Sequence, residues 1–403
     1  MKIALAFFEQ FINMSGGIER VCCNLANALA EKGYTVSIIY AYGKDGHPFY
    51  QLNPEIKLYN LMTRTSKKWK HNSLGKCVPP QSKLIREILR SFNKSLGRDY
   101  NESVKGRMIQ SEISRLFNEI TPDLIISFRY ETSNYILNFA KTDIPVITMF
   151  HISPDIALKT APKGELSAIE KSVYAQVLLP GDIEKVKTYC PKANVICIPN
   201  SVPQYNRQAN LSAEKKAFKI INVARLNKAQ KQQHLLIEAF GNLASEFPEW
   251  TLEFWGGGDE SQYPYRKELE NLIEKKGLAA QVFLKGESRD ILSGYVDADI
   301  FCLPSAYEGF PLSLTEAMSA GLPAVGFNTC PAVNELIEDH YNGILSENNT
   351  NALTNSLRAL MENKALRIEL GRNAKNSMKS YAPDKIWAQW DALIRSSVSK
   401  ENA

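Results

Sequence analysis

Short apolar runs alternate with helical patterns along almost the whole of the 403-residue sequence, and this alternation limits the fold more than any other feature. Strands that alternate with helices form βαβ units, in which successive strands are parallel. The sequence therefore predicts an α/β fold built on parallel sheets. The predicted strands are residues 3–8, 35–40, 124–128, 146–150, 177–179 and 195–198 in the first half, and 219–223, 252–255, 282–284, 300–303 and 324–327 in the second.

A polar segment, residues 201–217, separates the two series of strands and predicts a linker. A chain of this length is long for one core and suits two domains of about 200 residues each. We therefore expect one domain at 1–200 and a second at 201–382. The last segment, 383–403, has large apolar side chains at helical spacing, and we expect its helix to cross back to the first domain. These side chains are Ile386, Trp387, Trp390 and Leu393.

The cysteine pattern and the hydropathy limit the class of protein. The seven cysteines include no Cys-x-x-Cys pair and several fall in apolar runs, which favours reduced, buried thiols over disulfides or a zinc site. The N-terminal apolar run is too short for a signal peptide and is interrupted by Glu9. No apolar stretch approaches the roughly 20 residues that cross a bilayer. We therefore expect a cytoplasmic protein.

The first turn of the chain predicts an anion site. Gly16 and Gly17 lie between the strand at 3–8 and a helical pattern that ends before Gly33. Adjacent glycines let a ligand approach the backbone, and the N–H groups at a helix N-terminus attract anions. The dinucleotide pattern Gly-x-Gly-x-x-Gly is missing. A tight turn without a ligand is therefore the alternative.

The second half begins with a similar arrangement. Arg225 follows the strand at 219–223, and Lys231 comes just before an amphipathic helix predicted at 234–247. Arginine holds phosphate oxygens in a fork and lysine adds a point charge. The pair suits a diphosphate, and a solvated basic loop is the alternative. Three glycines, residues 256–258, end the next strand and leave the backbone open to a ligand.

Two further polar features lie next to predicted strands. Asp297 and Asp299 form an Asp-x-Asp pair, but they precede a strand, whereas metal-binding acids of this kind follow one. No metal site is therefore predicted. His151 stands at the carboxyl end of the strand at 146–150, where ligands collect in open parallel sheets. An ordinary structural histidine is the alternative there.

The stretch SAYEGFPLSLTEAMSAGLPAV, residues 305–325, holds two glutamates in a strand–loop–helix unit. Glu308 lies in the loop after the strand at 300–303, and Glu316 lies about one turn inside the helix. The N–H groups of residues 309–312 fall at the helix N-terminus, which suits phosphate or sugar oxygens. Because a carboxylate accepts hydrogen bonds from adjacent hydroxyls, the stretch predicts a site for a nucleotide sugar.

These residues resemble a known family. EGFPLSLTEAM, residues 308–318, resembles the Glu-x7-Glu signature of the retaining glycosyltransferases of family GT4, which have the GT-B fold. The likeness covers nearly the whole chain, through Gly16-Gly17, IPNS at 198–201, Arg225 with Lys231 and GGGDE at 256–260. It implies two Rossmann-like parallel-sheet domains that face a cleft. The first would bind the acceptor and the second the nucleotide sugar.

The resemblance also implies a role for each residue. Glu308 would contact hydroxyls of the donor sugar, and Glu316 those of the ribose. Arg225 and Lys231 would neutralise the departing diphosphate, although Lys231 comes one residue later after Arg225 than is usual. His151 would lie beside the reacting sugar. The implied catalytic residues are thus His151, Glu308, Arg225 and Lys231, and the implied donor site comprises Gly16, Gly17, Asn200, Arg225, Lys231, Gly257, Glu308, Gly309, Phe310, Pro311, Leu312 and Glu316.

The implied reaction moves a sugar from a nucleotide diphosphate sugar to an acceptor hydroxyl and retains the anomeric configuration. A uridine diphosphate sugar is favoured over a guanosine diphosphate sugar, and neither a metal nor another cofactor is expected. Bacterial glycosyltransferases of this organisation build lipopolysaccharide, capsule or lipid-linked oligosaccharides. The expected acceptor is therefore a glycan or a lipid-linked molecule in surface glycan synthesis.

A basic segment in the first half predicts how the acceptor is reached. Residues 64–107 carry twelve Lys and Arg against three acids. Within it, residues 82–97 form an amphipathic helical pattern, which suits an anionic membrane surface or a lipid-linked acceptor, with Trp69 as an interfacial anchor. Packing of the apolar face on the first sheet is the alternative. The apolar face comprises Leu84, Ile85, Ile88, Leu89, Phe92 and Leu96, and the basic face comprises Lys83, Arg86, Arg90 and Lys94. We therefore expect a cytoplasmic protein that associates with the inner face of the membrane.

Other functions stay open. A glycoside hydrolase also needs two carboxylates, about 5–10 Å apart, but it would leave Arg225 and Lys231 without a role. A nucleotide-sugar epimerase of GT-B fold would use the same diphosphate site without an acceptor. A sugar- or lipid-binding protein with an inactive site is a further alternative. Nucleic-acid binding is disfavoured, because the basic segment is interleaved with aliphatic rather than aromatic side chains.

Overall fold

A computed structural model describes residues 1–63, 73–257 and 263–399 of the chain. The chain divides into two compact units, here called unit 1 and unit 2. Unit 1 contains Met1–Asn200 and the chain from Ile386 onward, and unit 2 is Ser201–Lys385. The first unit therefore contains both the beginning and the last helix of the chain.

The strands of the described residues form one parallel sheet in each unit. The prediction of an α/β fold with two Rossmann-like parallel-sheet domains is confirmed. The strands of unit 1 are β1 (Lys2–Phe7), β2 (Thr35–Tyr40), β3 (Lys57–Asn60), β4 (Leu124–Ser127), β5 (Val146–Met149), β6 (Tyr174–Val177) and β7 (Val195–Cys197). Those of unit 2 are β8 (Phe218–Val223), β9 (Trp250–Trp255), β10 (Val282–Gly286), β11 (Ile300–Leu303), β12 (Ala324–Phe327) and β13 (Gly343–Ser346).

Both sheets reverse their strand order beside the first strand. The order in unit 1 is β3-β2-β1-β4-β5-β6-β7, so the chain leaves β1 toward one edge and later returns to its other side as β4. The order in unit 2 is β10-β9-β8-β11-β12-β13, with the reversal between β8 and β11. In open parallel sheets, ligands bind outside the carboxyl ends of the strands at such a reversal. Each unit therefore has one favoured edge position for a ligand.

Helices cover the two sheets. Those before the unit boundary are α1 (Gly17–Glu31), α2 (Pro80–Phe92), α3 (Lys94–Ile120), α4 (Tyr130–Asn134), α5 (Pro154–Leu158), α6 (Lys163–Lys171) and α7 (Asp182–Tyr189), with a 3-10 turn at Leu74–Cys77 and a π-helical segment at Tyr135–Ala140. Those after it are α8 (Gln233–Gly241), α9 (Tyr263–Lys275), α10 (Ile291–Asp297), α11 (Leu312–Ser319), α12 (Val333–Leu336), α13 (Thr350–Glu362), α14 (Lys364–Met378) and α15 (Pro383–Ser399), with a 3-10 turn at Lys379–Tyr381. Among these helices, none combines the length and apolar character required to cross a bilayer.

The central strands are apolar on both faces, because helices cover both sides of a parallel sheet. In β1 every residue from Ile3 to Phe7 is buried. Ile3 is in register with Val36 on β2 and with Leu124 on β4, so apolar residues adjoin across three strands. This is why continuous apolar runs predicted most of the strands.

The strand predicted at 177–179 is displaced in the structure, where β6 covers Tyr174–Val177. Gln176 is fully buried in this strand, and its amide donates to the carbonyl oxygens of Val177 at 3.0 Å and Ile198 at 2.5 Å. A buried amide with backbone partners is stable inside a sheet. The prediction was wrong because it followed the apolar residues alone.

Two short strands and one helix end differ from the prediction for related reasons. The prediction omitted β3, which lies at a sheet edge and is only partly buried, and β13, which begins at Gly343. Neither has the long apolar run on which the prediction depended. Helix α8 ends at Gly241 instead of at residue 247, and turns follow it as far as Phe247. The Phe247 N–H donates to the Leu243 carbonyl oxygen at 3.1 Å. Apolar spacing persists through these turns and extended the predicted helix.

The basic amphipathic pattern at 82–97 is two helices, not one. Asn93 is extended, with φ −156° and ψ 126°, and separates α2 from α3. Its side chain accepts a hydrogen bond from the Ser95 N–H at 2.8 Å and so caps α3. The predicted single helix was wrong at this residue, because the side-chain spacing is preserved across the break.

Helix α2 packs on α3 through the side that carries part of its basic face. Gly97 on α3 lies so close to α2 that an added Cβ would be 2.9 Å from the Arg86 carbonyl oxygen and 2.9 Å from Arg90 Cβ. The apolar side of α2 consequently faces outward, with Leu84 66% and Phe92 81% exposed. No residue of α2 is buried. The alternative that this apolar face packs on the first sheet is therefore wrong.

Helix α15 packs within unit 1. Ile386 and Ile394 are fully buried, and Trp390 is nearly so. At the helix surface, the Tyr34 hydroxyl donates to Asp391 Oδ1 at 2.6 Å, which joins α15 to the turn between α1 and β2. The apolar stripe of α15 thus forms part of the core of unit 1.

Candidate functional site

The loops that follow β8 and β11 are joined at the strand reversal of unit 2. The Ala306 N–H donates to the Gln230 carbonyl oxygen at 2.7 Å. The Gln230 amide donates in turn to the Tyr307 carbonyl oxygen at 3.2 Å. These bonds fix the positions of the side chains on both loops relative to each other.

Lys231 and Glu308 form an ion pair across these loops. Lys231 Nζ lies 2.5 Å from Glu308 Oε1, and the two side chains are 15% and 8% exposed. The Lys231 backbone is held by its N–H bond to the Asn227 carbonyl oxygen at 2.8 Å. Two residues that the sequence predicted for one site, 77 positions apart, are therefore in direct contact.

Arg225 lies in the same loop as Lys231, but its side chain is exposed. Its backbone is fixed, because the buried Gln233 amide donates to the Arg225 carbonyl oxygen at 2.9 Å. The loop thus presents one guanidinium to solvent and one ammonium to Glu308. A diphosphate could accept hydrogen bonds from both cations.

The segment from Gly309 to Leu312 leads into α11. Pro311 has φ −74° and ψ 90° and no side chain caps the helix, which begins at Leu312. The first N–H groups of a helix have no partner within it. Phe310 is buried and packs edge-on against Tyr381, with 5.8 Å between ring centroids. The turn is therefore anchored by an apolar contact, while its N–H groups can bind an anion.

Glu316 lies in the second turn of α11, as predicted. It is buried, and its Oε2 accepts a hydrogen bond from the Tyr295 hydroxyl at 3.3 Å. A carboxylate already bonded to one hydroxyl has further lone pairs that can accept others. The side chain has the chemistry needed to bind the two hydroxyls of a ribose.

Glycines after β9 bring the backbone close to the Arg225 loop. Gly256 has φ +134°, and a Cβ there would be 2.2 Å from the Ala224 carbonyl oxygen, so only glycine fits. Gly257 lies against the side chain of Glu287. The rest of the GGGDE pattern, Gly258 to Glu260, lies outside the described residues.

Sequence reasoning missed two residues in the loop after β12. Burial raises the pKa of the Cys330 thiol to about 12, and the charge of Glu308 adds to the effect while that of Lys231 opposes it. Cys330 therefore lies within electrostatic reach of the ion pair. Ala332 nearby has φ 69° and ψ −37°, a region that residues other than glycine rarely occupy. The only signal in the sequence was that this loop follows a strand beside β11.

The predicted residues of unit 1 follow three different strands. Gly16 precedes α1, and the Glu19 carboxylate fills the space where a side chain at Gly16 would begin. A protein carboxylate therefore lies at this helix N-terminus in the structure. Asn200 is buried, three residues beyond β7.

His151 follows β5, and its ring stacks on Phe128 with 5.4 Å between centroids and 12° between planes. Its Nε2 atom is buried and has no hydrogen-bond partner among the described residues. Burial, aided by the charge of Arg129, lowers the pKa of His151 to about 3. The imidazole is therefore neutral at physiological pH.

Two of the cations predicted for the basic face, Arg86 and Arg90, share a carboxylate partner. Glu87 bonds both Arg86 at 2.6 Å and Arg90 at 3.7 Å. Lys83 lies on α2 and Lys94 begins α3. Trp69 lies outside the described residues.

The Asp-x-Asp pair is occupied by lysines. Asp299 accepts from Lys215 Nζ at 2.8 Å, and Asp297 from Lys219 Nζ at 2.5 Å. Both carboxylates therefore serve ion pairs in unit 2.

Comparison with known proteins identifies the fold and the reaction class. Residues 204–377 match the family described as glycosyl transferases group 1. An uncharacterized glycosyltransferase from Haemophilus influenzae is 29% identical over 97% of this chain and 99% of its own. A Campylobacter jejuni enzyme is 25% identical over 94% of this chain and 95% of its own, and its name describes an N-acetyl-D-galactosaminyltransferase acting on a diNAcBac-PP-undecaprenol glycan.

Solved structures with low sequence identity share the fold. Sucrose-phosphate synthase from Thermosynechococcus elongatus superposes with a TM-score of 0.76 at 16% identity, over 99% of both chains. HepE from Anabaena, solved with UDP and glucose, gives 0.70 at 17% identity over 98% of this chain and 100% of its own. Together with the two parallel sheets, these matches show that the chain has the GT-B fold and is similar to GT4-like glycosyltransferases.

Proposed function

We propose that this glycosyltransferase moves a sugar from a UDP-sugar to a hydroxyl of a glycan or lipid-linked acceptor, with retention of anomeric configuration and without a metal. We further propose that it acts in surface glycan synthesis at the inner face of the cytoplasmic membrane. The observation that carries the donor assignment is the contact between Lys231 and Glu308 at the strand reversal of unit 2.

In the proposed reaction, Lys231 and Glu308 exchange their mutual contact for contacts with the donor. A hydroxyl of the donor sugar donates to Glu308, and an oxygen of the diphosphate accepts from Lys231. As the bond between the sugar and the β-phosphate breaks, the acceptor hydroxyl oxygen bonds the anomeric carbon and its proton passes to the departing phosphate. Arg225, Lys231 and the N–H groups before α11 stabilise the negative charge that grows on this phosphate. These cations neutralise the phosphate charge that a divalent metal would otherwise neutralise.

The proposed role of His151 follows from its neutral state. The sugar gains positive charge as the leaving group departs, and a protonated imidazole beside it would oppose this. With its pKa lowered to about 3, His151 can make a hydrogen bond to the sugar without repelling it. The assignment of retention comes from the similarity of Glu308 and Glu316 to the signature of retaining GT4 enzymes.

Two relatives support the choice of substrates. The HepE structure contains UDP and glucose, which favours a uridine nucleotide here. The name of the Campylobacter enzyme includes an undecaprenol diphosphate, which favours a lipid-linked acceptor. Both assignments are transferred to this chain as part of the proposal.

The exposed apolar side of α2 supports the membrane assignment. We call Leu84, Ile85, Ile88 and Phe92 the α2 stripe; each is at least 43% exposed. Arg86 and Arg90 lie on the other side of α2, which packs on α3, and Lys83 also belongs to α2, while Lys94 begins α3. An exposed apolar stripe on a basic helix suits an anionic lipid surface, where the apolar residues enter the headgroup region. We therefore propose an anionic membrane as the partner of this helix.

A donor screen tests the function. The full chain is mixed with UDP-glucose, UDP-N-acetylglucosamine, UDP-N-acetylgalactosamine and GDP-mannose, and thermal stabilisation is measured. Undecaprenyl-diphosphate glycans are then added with and without EDTA, and NMR gives the anomeric configuration of the product. We expect stabilisation by a uridine nucleotide, EDTA-resistant transfer and a retained configuration. An inverted product, or loss of transfer in EDTA, would contradict the corresponding part of the proposal.

The same assay separates the rival functions. Conversion of the nucleotide sugar into another nucleotide sugar without an acceptor would indicate an epimerase. Release of sugar from a glycan without any nucleotide donor would indicate a glycoside hydrolase. Binding of sugars or lipids without turnover of any donor would indicate a non-catalytic protein.

A further inference from the structure

A cavity of about 410 Å³, here called the unit 1 cavity, lies at the strand reversal of the first sheet. Its walls include Phe8 and Glu9, which follow β1, and Arg129 and Glu131, which follow β4. These two strands are the neighbours between which the order reverses. The cavity therefore occupies the position where open parallel sheets bind ligands.

One side of the unit 1 cavity is a chain of alternating charges. Arg129 Nη1 lies 2.6 Å from Glu9 Oε2, and Arg129 Nε lies 3.3 Å from Glu131 Oε2. The other oxygen of Glu131 lies 3.4 Å from Arg98 Nη2. Each guanidinium on this side is thus already matched by a carboxylate.

A further ion pair on α3 adds to the charged lining. Lys105 Nζ lies 2.7 Å from Glu102 Oε1, and Glu102 also accepts a hydrogen bond from the Tyr135 hydroxyl. Glu102 and Lys105 both line the cavity, together with the ring of Tyr135. The lining therefore holds three cations and three carboxylates.

A fourth carboxyl group, Glu165, lies behind Arg98 and is fully buried. Its Oε2 lies 2.9 Å from Arg98 Nη2. Burial, and secondarily the charge of Glu131, raises the pKa of Glu165 to about 8. Arg98 is therefore shared between Glu165 and Glu131.

This balance favours one class of ligand. A phosphate would have to displace Glu131 or Glu9 from its guanidinium, and Glu102 would repel it. A hydroxyl can donate to a carboxylate and accept from a neighbouring cation without displacing either. Phe8, Leu74 and Tyr135 add apolar surface that suits the C–H face of a sugar ring. The volume falls within the range of about 300–1,000 Å³ usual for small-ligand sites.

We propose that the unit 1 cavity binds the end of the acceptor as an uncharged, hydroxyl-rich sugar ring. This inference rests on the proposed transferase function and specifies its acceptor. Glu102 and Glu131 accept hydrogen bonds from the ring hydroxyls, and Arg98 and Lys105 donate to them. Any phosphate of a lipid-linked acceptor binds elsewhere.

Saturation-transfer NMR on the full chain tests this assignment. The probes are methyl glycosides of glucose, galactose and N-acetylglucosamine, with inorganic phosphate as a competitor. We expect at least one glycoside to bind and phosphate not to displace it. Glu131→Gln should weaken glycoside binding about tenfold, because a hydrogen bond to a charged group is lost, and should allow phosphate to bind between Arg98 and Arg129.

Control variants show whether a loss of glycoside binding comes from unfolding of the protein. Glu184→Gln on α7 removes a carboxylate that is 84% exposed and should bind the glycoside as the wild type does. Lys105→Met alters another cation of the lining and should also weaken glycoside binding, so the test does not depend on Glu131 alone. Unchanged binding in both cavity variants, or displacement of the glycoside by phosphate in the wild type, overturns the inference.

UDP binding, measured by calorimetry on the same samples, separates this inference from the function on which it rests. If UDP binds to unaltered protein while no glycoside does, the cavity assignment fails and the proposed donor site stands. If UDP does not bind, the proposed transferase function fails, whatever the glycosides do.

Discussion

Lys231 Nζ and Glu308 Oε1 lie 2.5 Å apart in a site where both side chains are largely buried, so each neutralises the other before a donor arrives. A buried pair costs little while both partners are present, but removal of one leaves a charge without compensation. Changes at this site therefore affect stability and turnover together, and the two effects must be measured separately.

We expect Lys231→Ala to lower kcat about 10²–10³-fold, the usual effect of losing one group that stabilises developing charge. It should also lower the melting temperature, because Glu308 is left buried and unpaired. The double variant Lys231→Met with Glu308→Gln should recover the melting temperature but not kcat. Kinetics with a UDP-sugar and thermal unfolding of all three proteins give the answer. Recovery of kcat in the double variant would show that Lys231 and Glu308 do not take part in the reaction.

Arg225 permits a cleaner test because its side chain is exposed. We expect Arg225→Ala to change the free energy of unfolding by no more than about 0.5 kcal/mol, and to weaken UDP binding and turnover about tenfold or more through loss of a charged contact to phosphate. Lys228→Ala is the control, since Lys228 is an exposed cation on the same loop, paired with Glu268 at 2.6 Å. Equal affinity for UDP in the two variants would contradict the assignment of Arg225.

Sequence reasoning succeeded where function lies within one continuous stretch. Glu308, Pro311 and Glu316 could be assigned to a loop and a helix because strand, turn and helix follow one another directly. The unit 1 cavity was not predicted, because its charges come from a loop after β1, from α3 and from α4. Arg98 and Glu131 are 33 residues apart, and nothing in their local spacing relates them.

The direction in which α2 faces could not be predicted either. Periodicity showed that its apolar and basic side chains lie on different sides, but it did not show which side packs. Gly97 decides this, because the absence of its side chain lets α3 approach the backbone of α2. A glycine within a helical pattern gave no indication of which helix it would contact.

Glu165 predicts a pH dependence of stability. Its pKa is raised by burial from 4.5 to about 8, so the folded protein retains a proton that the unfolded chain releases above pH 4.5. Its contribution to stability is complete below pH 4.5 and is lost as the pH rises to about 8. Glu165→Gln keeps a neutral group beside Arg98 and should lack this loss. Unfolding free energies measured from pH 5 to pH 9 should therefore decrease less with pH in the variant. Parallel curves for the two proteins would show that Glu165 is not the group responsible.

Ala332 predicts a stabilising substitution. Its backbone strain at φ 69° and ψ −37° costs about 1–3 kcal/mol, whereas glycine loses about 0.5–1 kcal/mol more entropy than alanine on folding. We expect Ala332→Gly to raise the free energy of unfolding by about 1 kcal/mol, measured by urea denaturation. Ala320→Gly is the control, because Ala320 is buried with an ordinary φ of −76° and should only lose stability. Equal destabilisation in both variants would show that the backbone at Ala332 is not strained.

The α2 stripe predicts a separable effect on membrane binding. Replacement of Leu84, Ile88 and Phe92 by serine should reduce binding to phosphatidylglycerol vesicles at least about tenfold, since insertion of each apolar side chain is favourable by more than 1 kcal/mol. The melting temperature should not fall, because these side chains are exposed. Ile368→Ser changes an exposed residue of unit 2 and serves as the control. Vesicle sedimentation that is unaffected by the triple change would exclude the stripe as the membrane contact.

The position of α15 determines the order in which the units can be completed during synthesis. Unit 2 is one continuous segment, Ser201–Lys385, and all of its strands are synthesised before α15. Unit 1 begins first but lacks Ile386, Trp390 and Ile394 until α15 has been made. The core of unit 1 is therefore incomplete while the core of unit 2 forms. During this time the apolar surface that α15 will cover is exposed. A nascent chain held with residues up to 385 outside the ribosome would carry a folded unit 2 and a unit 1 that a protease or chaperone can still engage.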